Sequence, residues 1–538
     1  MKNVYRMTMS IIVTLAIIVS SLPIVNTYAD ETLSYGDWEY EIIDGNITIT
    51  KYNGSEENVT VPNKIESKNV TKIGDEAFVC NESMRSVNIP NGIVSIGVAA
   101  FKSCSELENV VIADSVNTIE RYAFYSCKKL SEIDLPESLL SIGAVAFANC
   151  KALQTLNIPE NVKKIDMSAF IECDRLDSIR IPKNVTDIEC SAWGKENLSS
   201  IEVDSANQSY SSEDGVLYNK KKTVLLSYPG AKKDENFTVP KTVKSIATSS
   251  LASVNNIQKI VIPNSVTIIG SGAFYECRNL KQIKLSNSIK KIKEKTFYGC
   301  ESLEKITIPD SVKIIGNEAF RECIKLEEVQ MPSELELIDY YAFRECKSLK
   351  SIRLPETVKE IGSKAFGYCE GLKEIVIPQS VKTMGKEAFS YCKNLKSVKF
   401  MGKPPVGLNE KTFHECDSDL VILYPKQYKK YWSEYTDYKK IAHGDSKIKV
   451  AKIKLKRKKA NLLVGKKIRL NYEIMPYEAD VKAVKWKSSN KKVAVVNKKG
   501  LVKAKKAGRC TITVITKDGS KKATCKIIVK RKLKRNKK

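Results

Sequence analysis

Apolar residues recur along most of this chain at a fixed distance. Phe78, Phe101, Phe124, Phe147, Phe170 and Trp193 are each 23 residues apart. Leu251, Phe274, Phe297, Phe320, Phe343, Phe366 and Phe389 resume the series, and Phe413 ends it after 24, making 14 copies. One copy reads Leu303-x-x-Ile306-x-Ile308-Pro309-x-Ser311-Val312-x-x-Ile315-Gly316-x-x-Ala319-Phe320-x-x-Cys323. The alternation at Ile306 and Ile308 predicts a short strand with one face buried. Pro309 has no N–H and stops the ladder, and Gly316 predicts a turn. Leu303, Val312, Ile315, Ala319 and Phe320 form the predicted interior. One copy cannot cover so many apolar side chains but stacked copies can, which predicts a parallel-sheet solenoid of about 14 turns.

Three segments break the period. Residues 36–50 alternate in two runs around Asp44-Gly45-Asn46, which predicts a hairpin over the open first turn. The gap from Trp193 to Leu251 holds one repeat and 35 further residues, with two alternating runs at 210–218 and 223–229 that predict a hairpin insertion. Tyr424, Tyr428, Tyr431, Trp432, Tyr435 and Tyr438 fall at helical spacing. They predict a helix covering the last turn, with an aromatic carbohydrate platform as the other reading.

Beyond residue 446 the period disappears. Short alternating runs such as 463–470, 483–490, 493–497 and 508–514 take over, and Asp518-Gly519 marks a hairpin. About 80 residues of such strands predict a β-sandwich. Charge changes at the same point. The chain has 538 residues and a net charge of +27, yet residues 446–538 hold 33 Lys and Arg against 4 Asp and Glu, a net of +29. The first 445 residues carry 56 basic and 58 acidic groups, a net of −2. A near-neutral body therefore bears a basic end.

Lys2 and Arg6 precede an apolar run at 11–19, followed by Pro23 and Ala29. That is the pattern of a secretory leader cut near residue 29, and the run is too short to span a bilayer. An extracellular setting argues against an intracellular nucleic-acid partner. The polyanions available there are teichoic acids, acidic polysaccharides, lipid head groups and extracellular DNA. The basic end is therefore expected to hold the protein to an anionic envelope polymer, with a merely solvated face as the other reading.

Twelve of the 15 cysteines, Cys80, Cys104, Cys127, Cys150, Cys173, Cys277, Cys300, Cys323, Cys346, Cys369, Cys392 and Cys416, follow the repeat. They are expected to stack in one column as small buried side chains rather than pair, since stacked Cβ vectors run parallel. No two cysteines are closer than 15 residues, so there is no Cys-x-x-Cys for zinc or redox chemistry. Cys510 and Cys525 lie on either side of the predicted turn and are the candidate disulfide. The two histidines, His414 and His443, stand apart from any catalytic motif. No cofactor or metal is implied.

The repeat resembles the BspA-type leucine-rich repeats of bacterial surface proteins over roughly residues 36–446. That resemblance implies a curved solenoid and a role in binding and adhesion rather than catalysis. A right-handed β-helix of the polysaccharide-lyase kind has a similar turn length, but such enzymes need clustered Asp, Arg or His on one sheet face, which this sequence lacks. Residues 448–529 resemble a group 2 bacterial immunoglobulin-like domain through Val464-Gly465, Trp486-x-Ser488-Ser489-Asn490, Val493-Ala494-x-Val496 and Ala507-Gly508-x-x-Thr511-Ile512. Such domains serve as stalks or adhesive modules.

The predicted organisation is a leader at 1–29, a cap and first repeat at 30–77, and the solenoid at 78–423 with its insertion near 200–236. An aromatic capping helix at 424–446, an immunoglobulin-like sandwich at 447–530 and a basic tail at 531–538 complete it. The expected function is a secreted bacterial surface protein, its solenoid binding a host or bacterial surface protein or glycan and its basic domain an anionic envelope polymer. A purely structural envelope component is the alternative. Outward strand positions, among them Lys284, Lys305, Glu328 and Arg353, are the expected ligand-facing residues. They mix both signs and name no ligand.

Overall fold

Each repeat folds into two short strands joined by a tightly turned segment, and the hydrogen bonds of all three run to the neighbouring turns. Strand Lys305–Thr307 pairs in parallel with Glu328–Gln330, and Ile314–Ile315 pairs in parallel with Leu337–Ile338. Ile306 is buried while Lys305 and Thr307 are exposed, as the alternation requires. The computed structural model describes residues 33–189, 192–193, 197–435, 439–443, 450, 452–475, 483–517 and 520–531, with backbone alone at 439–443. The predicted leader, Cys190, Tyr438, the predicted Asp518-Gly519 turn and residues 532–538 of the basic tail lie outside the described residues. Two units divide the chain, one ending at Ser348 and the other beginning at Leu349.

The repeats build a β-solenoid of about 16 turns of about 23 residues, followed by a β-rich C-terminal region. Two tyrosines explain why this exceeds the 14 copies of the motif. Tyr52 and Tyr228 donate their N–H groups to Ala77 and Ser250, as Phe78 does to Ala100, so each stands in the phenylalanine column. Within that column Phe78, Phe101, Phe124, Phe147 and Phe170 stack face to face with centroids 4.7, 5.1, 5.3 and 5.8 Å apart. Phe274, Phe297, Phe320 and Phe343 repeat the stack at 5.3, 5.1 and 5.1 Å. Offset stacking adds to the burial of every ring.

The sharp bends flank the phenylalanine rather than sit at the Ile-Gly step. In the turn of Phe320 the left-handed residues are Glu318 (φ 53°) and Glu322 (φ 62°), and Val145 and Asn149 take the same places around Phe147. Gly316 serves close approach instead: a Cβ there would meet backbone atoms of the preceding turn at 3.1 Å. Other turns tolerate Glu120, Asp166 and Asp339 at that position.

The expected N-terminal hairpin is formed by Trp38–Ile43 and Asn46–Tyr52, and the second strand then pairs in parallel with Lys68–Ile73. The insertion is a three-stranded meander, Tyr210–Glu213, Val216–Asn219 and Val224–Ser227. Its last strand rejoins the solenoid by parallel pairing with Ser245–Ile246. Lys232 Nζ, 2.9 Å from Asp214 and 3.1 Å from Asp234, ties the meander down, and Tyr228 donates its hydroxyl to Asp234 at 2.7 Å.

At the C-terminal end the expected 424–446 helix is replaced by strand, one short helical stretch and strand. Tyr424 lies in Val421–Pro425, which pairs in parallel with Ser397–Phe400 and with Lys439–His443. Among the described residues of this stretch, helical structure is confined to Lys426–Tyr428 and Lys429–Trp432. The strand positions alternate outward and inward, so Tyr424 is buried by sheet pairing rather than by a helical face. Trp432 provides the anticipated cover: fully buried, it stacks on Tyr424 at 5.3 Å and donates its indole N–H to the Gly402 carbonyl at 3.2 Å.

The C-terminal region has its own core, including Ile453, Leu470, Ile474, Ala494, Val502, Ile512, Val514 and Ile527. Lys459–Leu463, Lys522–Lys530, Gly508–Thr516 and Val484–Ser488 form a four-stranded sheet in that order. Lys467–Arg469, Leu501–Ala504 and Ala494–Val496 form a three-stranded one. Gly500 (φ 76°) is obligatory, since a Cβ there would lie 2.7 Å from Trp486 and 2.8 Å from the Leu470 carbonyl.

Candidate ligand-binding surfaces

The four sequence-selected positions do point outward from strands. Lys305 and Glu328 are register partners and pair at 3.7 Å, so each is partly neutralised by the other. Lys284 lies beside Val261 in register and is exposed. Arg353, in the second unit, bridges to Val376 and is exposed. Lys284, Lys305 and Glu328 fall in two neighbouring outward columns. Exposed pairs of this kind recur elsewhere, as where Arg85 lies 3.6 Å from Glu57 and 3.4 Å from Glu108. Each is a weak stabiliser in solvent.

A different part of the solenoid carries an open cleft of about 500 Å³ lined by Lys128, Lys129, Ser131, Lys151, Ala152 and Arg175, with Glu108 and Asn109 also in its wall. Lys129, Ala152 and Arg175 are 23 apart, so they share one column in which a small side chain stands between two long ones. The gap is the cleft. Lys129 pairs with Glu106, and Lys151 lies 3.6 Å from Asp174. Aligning the repeats one under another would have exposed this large–small–large column.

The cysteines sit in the solenoid interior as hydrogen-bonded thiols. Cys104, Cys127, Cys150 and Cys173 each donate Sγ–H to the carbonyl of the phenylalanine 26 residues earlier, at 3.0–3.2 Å. Burial pushes the Cys104 and Cys173 thiols up to about 12 and holds Cys127, Cys150 and Cys300 well above the usual thiol range. Such thiols are neither nucleophiles nor metal ligands at neutral pH. Cys80 is not in the column. It follows Phe78 by two residues instead of three, adopts φ 57° and is exposed, while Asn81 takes the column site.

Cys510 and Cys525 are free, buried thiols on neighbouring antiparallel strands. The register sets Cys525 opposite Ile512 and Cys510 opposite Ile527, so the two are diagonal rather than facing, as symmetry about the turn had suggested. His414 is exposed, 3.9 Å from Glu415 and edge-on to Tyr391. Among the described residues no three His, Cys, Asp or Glu side chains group to hold a metal ion, and no helix is long and apolar enough to cross a membrane.

The four-stranded sheet of the C-terminal region presents a basic outer face. Lys459, Lys485, Lys487, Arg509, Lys522, Lys526 and Lys530 are all exposed on it. The four strands contain no Asp or Glu.

Comparison with known proteins agrees with both architectures. The profile of the BspA type leucine rich repeat region matches residues 52–139, 95–214, 228–338 and 290–419, more than half of the chain. That of the bacterial Ig-like domain (group 2) matches 449–527. Among solved structures, a leucine rich cell surface protein from Faecalibacterium prausnitzii A2-165 is 29% identical, with 69% of this chain and 95% of that one covered and a TM-score of 0.49. The pneumococcal vaccine antigen PcpA is 22% identical, with coverages of 78% and 100% and a TM-score of 0.53, a likeness of fold. A 74-residue stretch is 42% identical to kappa-carrageenase of Pseudoalteromonas carrageenovora, spanning 14% of this chain and 19% of that enzyme. Another of 72 residues is 39% identical to a 3-O-alpha-D-galactosyl-alpha-L-arabinofuranosidase of Bifidobacterium longum subsp. longum, spanning 13% of this chain and 6% of that enzyme. So small a share of either enzyme brings no activity with it. The chain belongs to the BspA-type leucine-rich repeat proteins and carries a group 2 bacterial immunoglobulin-like domain near its C-terminus.

Proposed function

We propose that this protein acts outside the cytoplasm, at a bacterial surface, as a non-catalytic binding scaffold. Its solenoid engages a surface protein or glycan, and its basic immunoglobulin-like domain holds it to an anionic envelope polymer. The observation that carries this reading is the partition of charge: +29 on residues 446–538 against −2 on the rest. That excess is far beyond what solubility asks of one small domain. The leader at 1–29 supports export. Lys284, Lys305, Glu328 and Arg353, and the cleft around Ala152, are the solenoid positions offered to a ligand.

The test is sedimentation with purified cell walls, comparing the full chain with one ending at residue 445 at low and high salt. Full-length protein should sediment at low salt and release as salt rises, because exposed charges are screened beyond about 8 Å at physiological ionic strength. The shortened chain should lose that salt-sensitive binding. Equal sedimentation of both at every salt concentration overturns the retention role. A screen of the solenoid against matrix proteins and glycans tests the other half. Silence there would favour a purely structural envelope component, the reading that the paired Lys305 and Glu328 support.

A further inference from the structure

Strand register turns the basic composition of the C-terminal domain into a specific grid. Lys459 lies directly beside Lys526 in the parallel pair. Lys526 in turn faces Thr511, Thr524 faces Thr513, and Lys522 faces Ile515. Lys487 and Lys485 flank Thr513 and Ile515 from the other side. Seven cations from four adjacent strands thus share one face with three threonine hydroxyls. None of them has a described carboxylate within ion-pair distance, unlike the lysines and arginines of the solenoid, which repeatedly pair across turns. The neighbouring two-stranded pair is different, for there Lys454 has Glu473 opposite it.

Like charges side by side on a sheet destabilise it. A face that bears them with no acidic neighbour among the described residues is complementary to an external chain of anions. We propose that the outer face of this sheet is the polymer-binding surface of the protein, and that its ligand is a flexible linear polyanion bearing closely spaced phosphate or carboxylate groups. The assignment rests on the envelope-retention reading above. A lipid bilayer fits less well: Ile515 and Ile528 are only partly exposed, Leu463 is an isolated exposed aliphatic side chain on the edge strand, and the face has no Trp, Tyr or Phe of the kind that anchors proteins at a membrane interface. Six of the seven cations are lysines, compact hydrated charges suited to holding a polymer by counterion release rather than to bidentate reading of one headgroup.

The test uses full-length protein carrying K485Q/K487Q/K522Q/K526Q beside a control, K467Q/K503Q/K498Q/K499Q, which removes the same charge elsewhere on the domain. Binding to linear polyphosphate and to polygalacturonate is measured across a salt series. Thermal melts must first show both variants folded. The face variant should bind either polymer about tenfold or more weakly at moderate salt, with a log–log salt slope shallower by about 3. The control should lose less than about threefold. Equal losses in both variants would overturn the face assignment, leaving net charge as the cause. Stronger face-dependent binding to phosphatidylglycerol vesicles than to either polymer would overturn the polymer in favour of a membrane. Dependence on one polymer alone identifies the anion. Face-dependent polymer binding combined with salt-insensitive wall sedimentation would sink envelope retention while sparing the face, and salt-sensitive wall binding unchanged in the face variant would do the reverse.

Discussion

The thiol of Cys127 donates to the carbonyl oxygen of Phe101, 26 residues earlier, at 3.2 Å, and that same oxygen accepts the N–H of Cys104 at 3.2 Å. The carbonyls of Phe78, Phe101, Phe124 and Phe147 each receive two donors in this way, one closing the bend and one from the next turn. The arrangement explains the choice of residue. A side chain there must be small and apolar, yet carry a weak donor, and cysteine meets all three conditions.

Thiol labelling should divide the cysteines sharply. In native protein at pH 8, Cys80 should react with a thiol reagent quickly, while Cys104 through Cys173 should react only on unfolding. Mass spectrometry of denatured protein prepared without reductant should find the column thiols free. Disulfides linking neighbouring column members would refute this account.

Alkaline stability follows from the same burial. The folded pKa of Cys104 and Cys173 is raised to about 12 from an ordinary value of 9.0, so the unfolded chain releases these protons first. Their contribution is present below about pH 9 and is lost as pH rises through that window. Each thiol should steepen the decline by about 1.4 kcal/mol per pH unit. Urea melts from pH 8 to 11 on wild type and Cys104→Ala should show a shallower slope in the variant.

Phe320→Ala empties a fully buried site in the aromatic stack and should cost about 3–5 kcal/mol. Its neighbour Arg321 would pass for a neutral surface residue from sequence alone. In the fold it lies 3.1 Å from Glu318, 3.2 Å from Glu322 and over the Tyr298 ring at 5.3 Å. Arg321→Ala should therefore cost about 1–2 kcal/mol, measured by denaturant melts. A change indistinguishable from zero would show that this network contributes nothing.

Val145 holds φ 62°, a left-handed conformation costly for a β-branched residue. Val145→Gly should raise stability by about 0.5–1 kcal/mol even after the added freedom of the unfolded chain is discounted. A lowered melting temperature would mean that packing of the valine outweighs its backbone strain.

The interior of the solenoid was legible in the sequence because burial repeats with the chain. Phe320, Ile315, Val312 and Leu303 recur every 23 residues, and any fold that stacks the copies must hide them. Charge partition, too, needs only counting. The polar surface was less legible. Lys305 and Glu328 are 23 apart, yet only parallel register makes them a pair, and only a three-residue count from Phe78 shows that Asn81 rather than Cys80 enters the column.

By itself, then, the sequence determined the period, the inward residues and the location of the basic charge, since these depend on local composition and spacing. Tertiary structure alone decided that Tyr52 and Tyr228 complete the aromatic column, that Tyr424 belongs to a strand and Trp432 to the cover, and that Lys459 stands beside Lys526. Those outcomes depend on hydrogen-bond partners a full turn or a whole sheet away, and no local pattern encodes which distant backbone group a residue will meet.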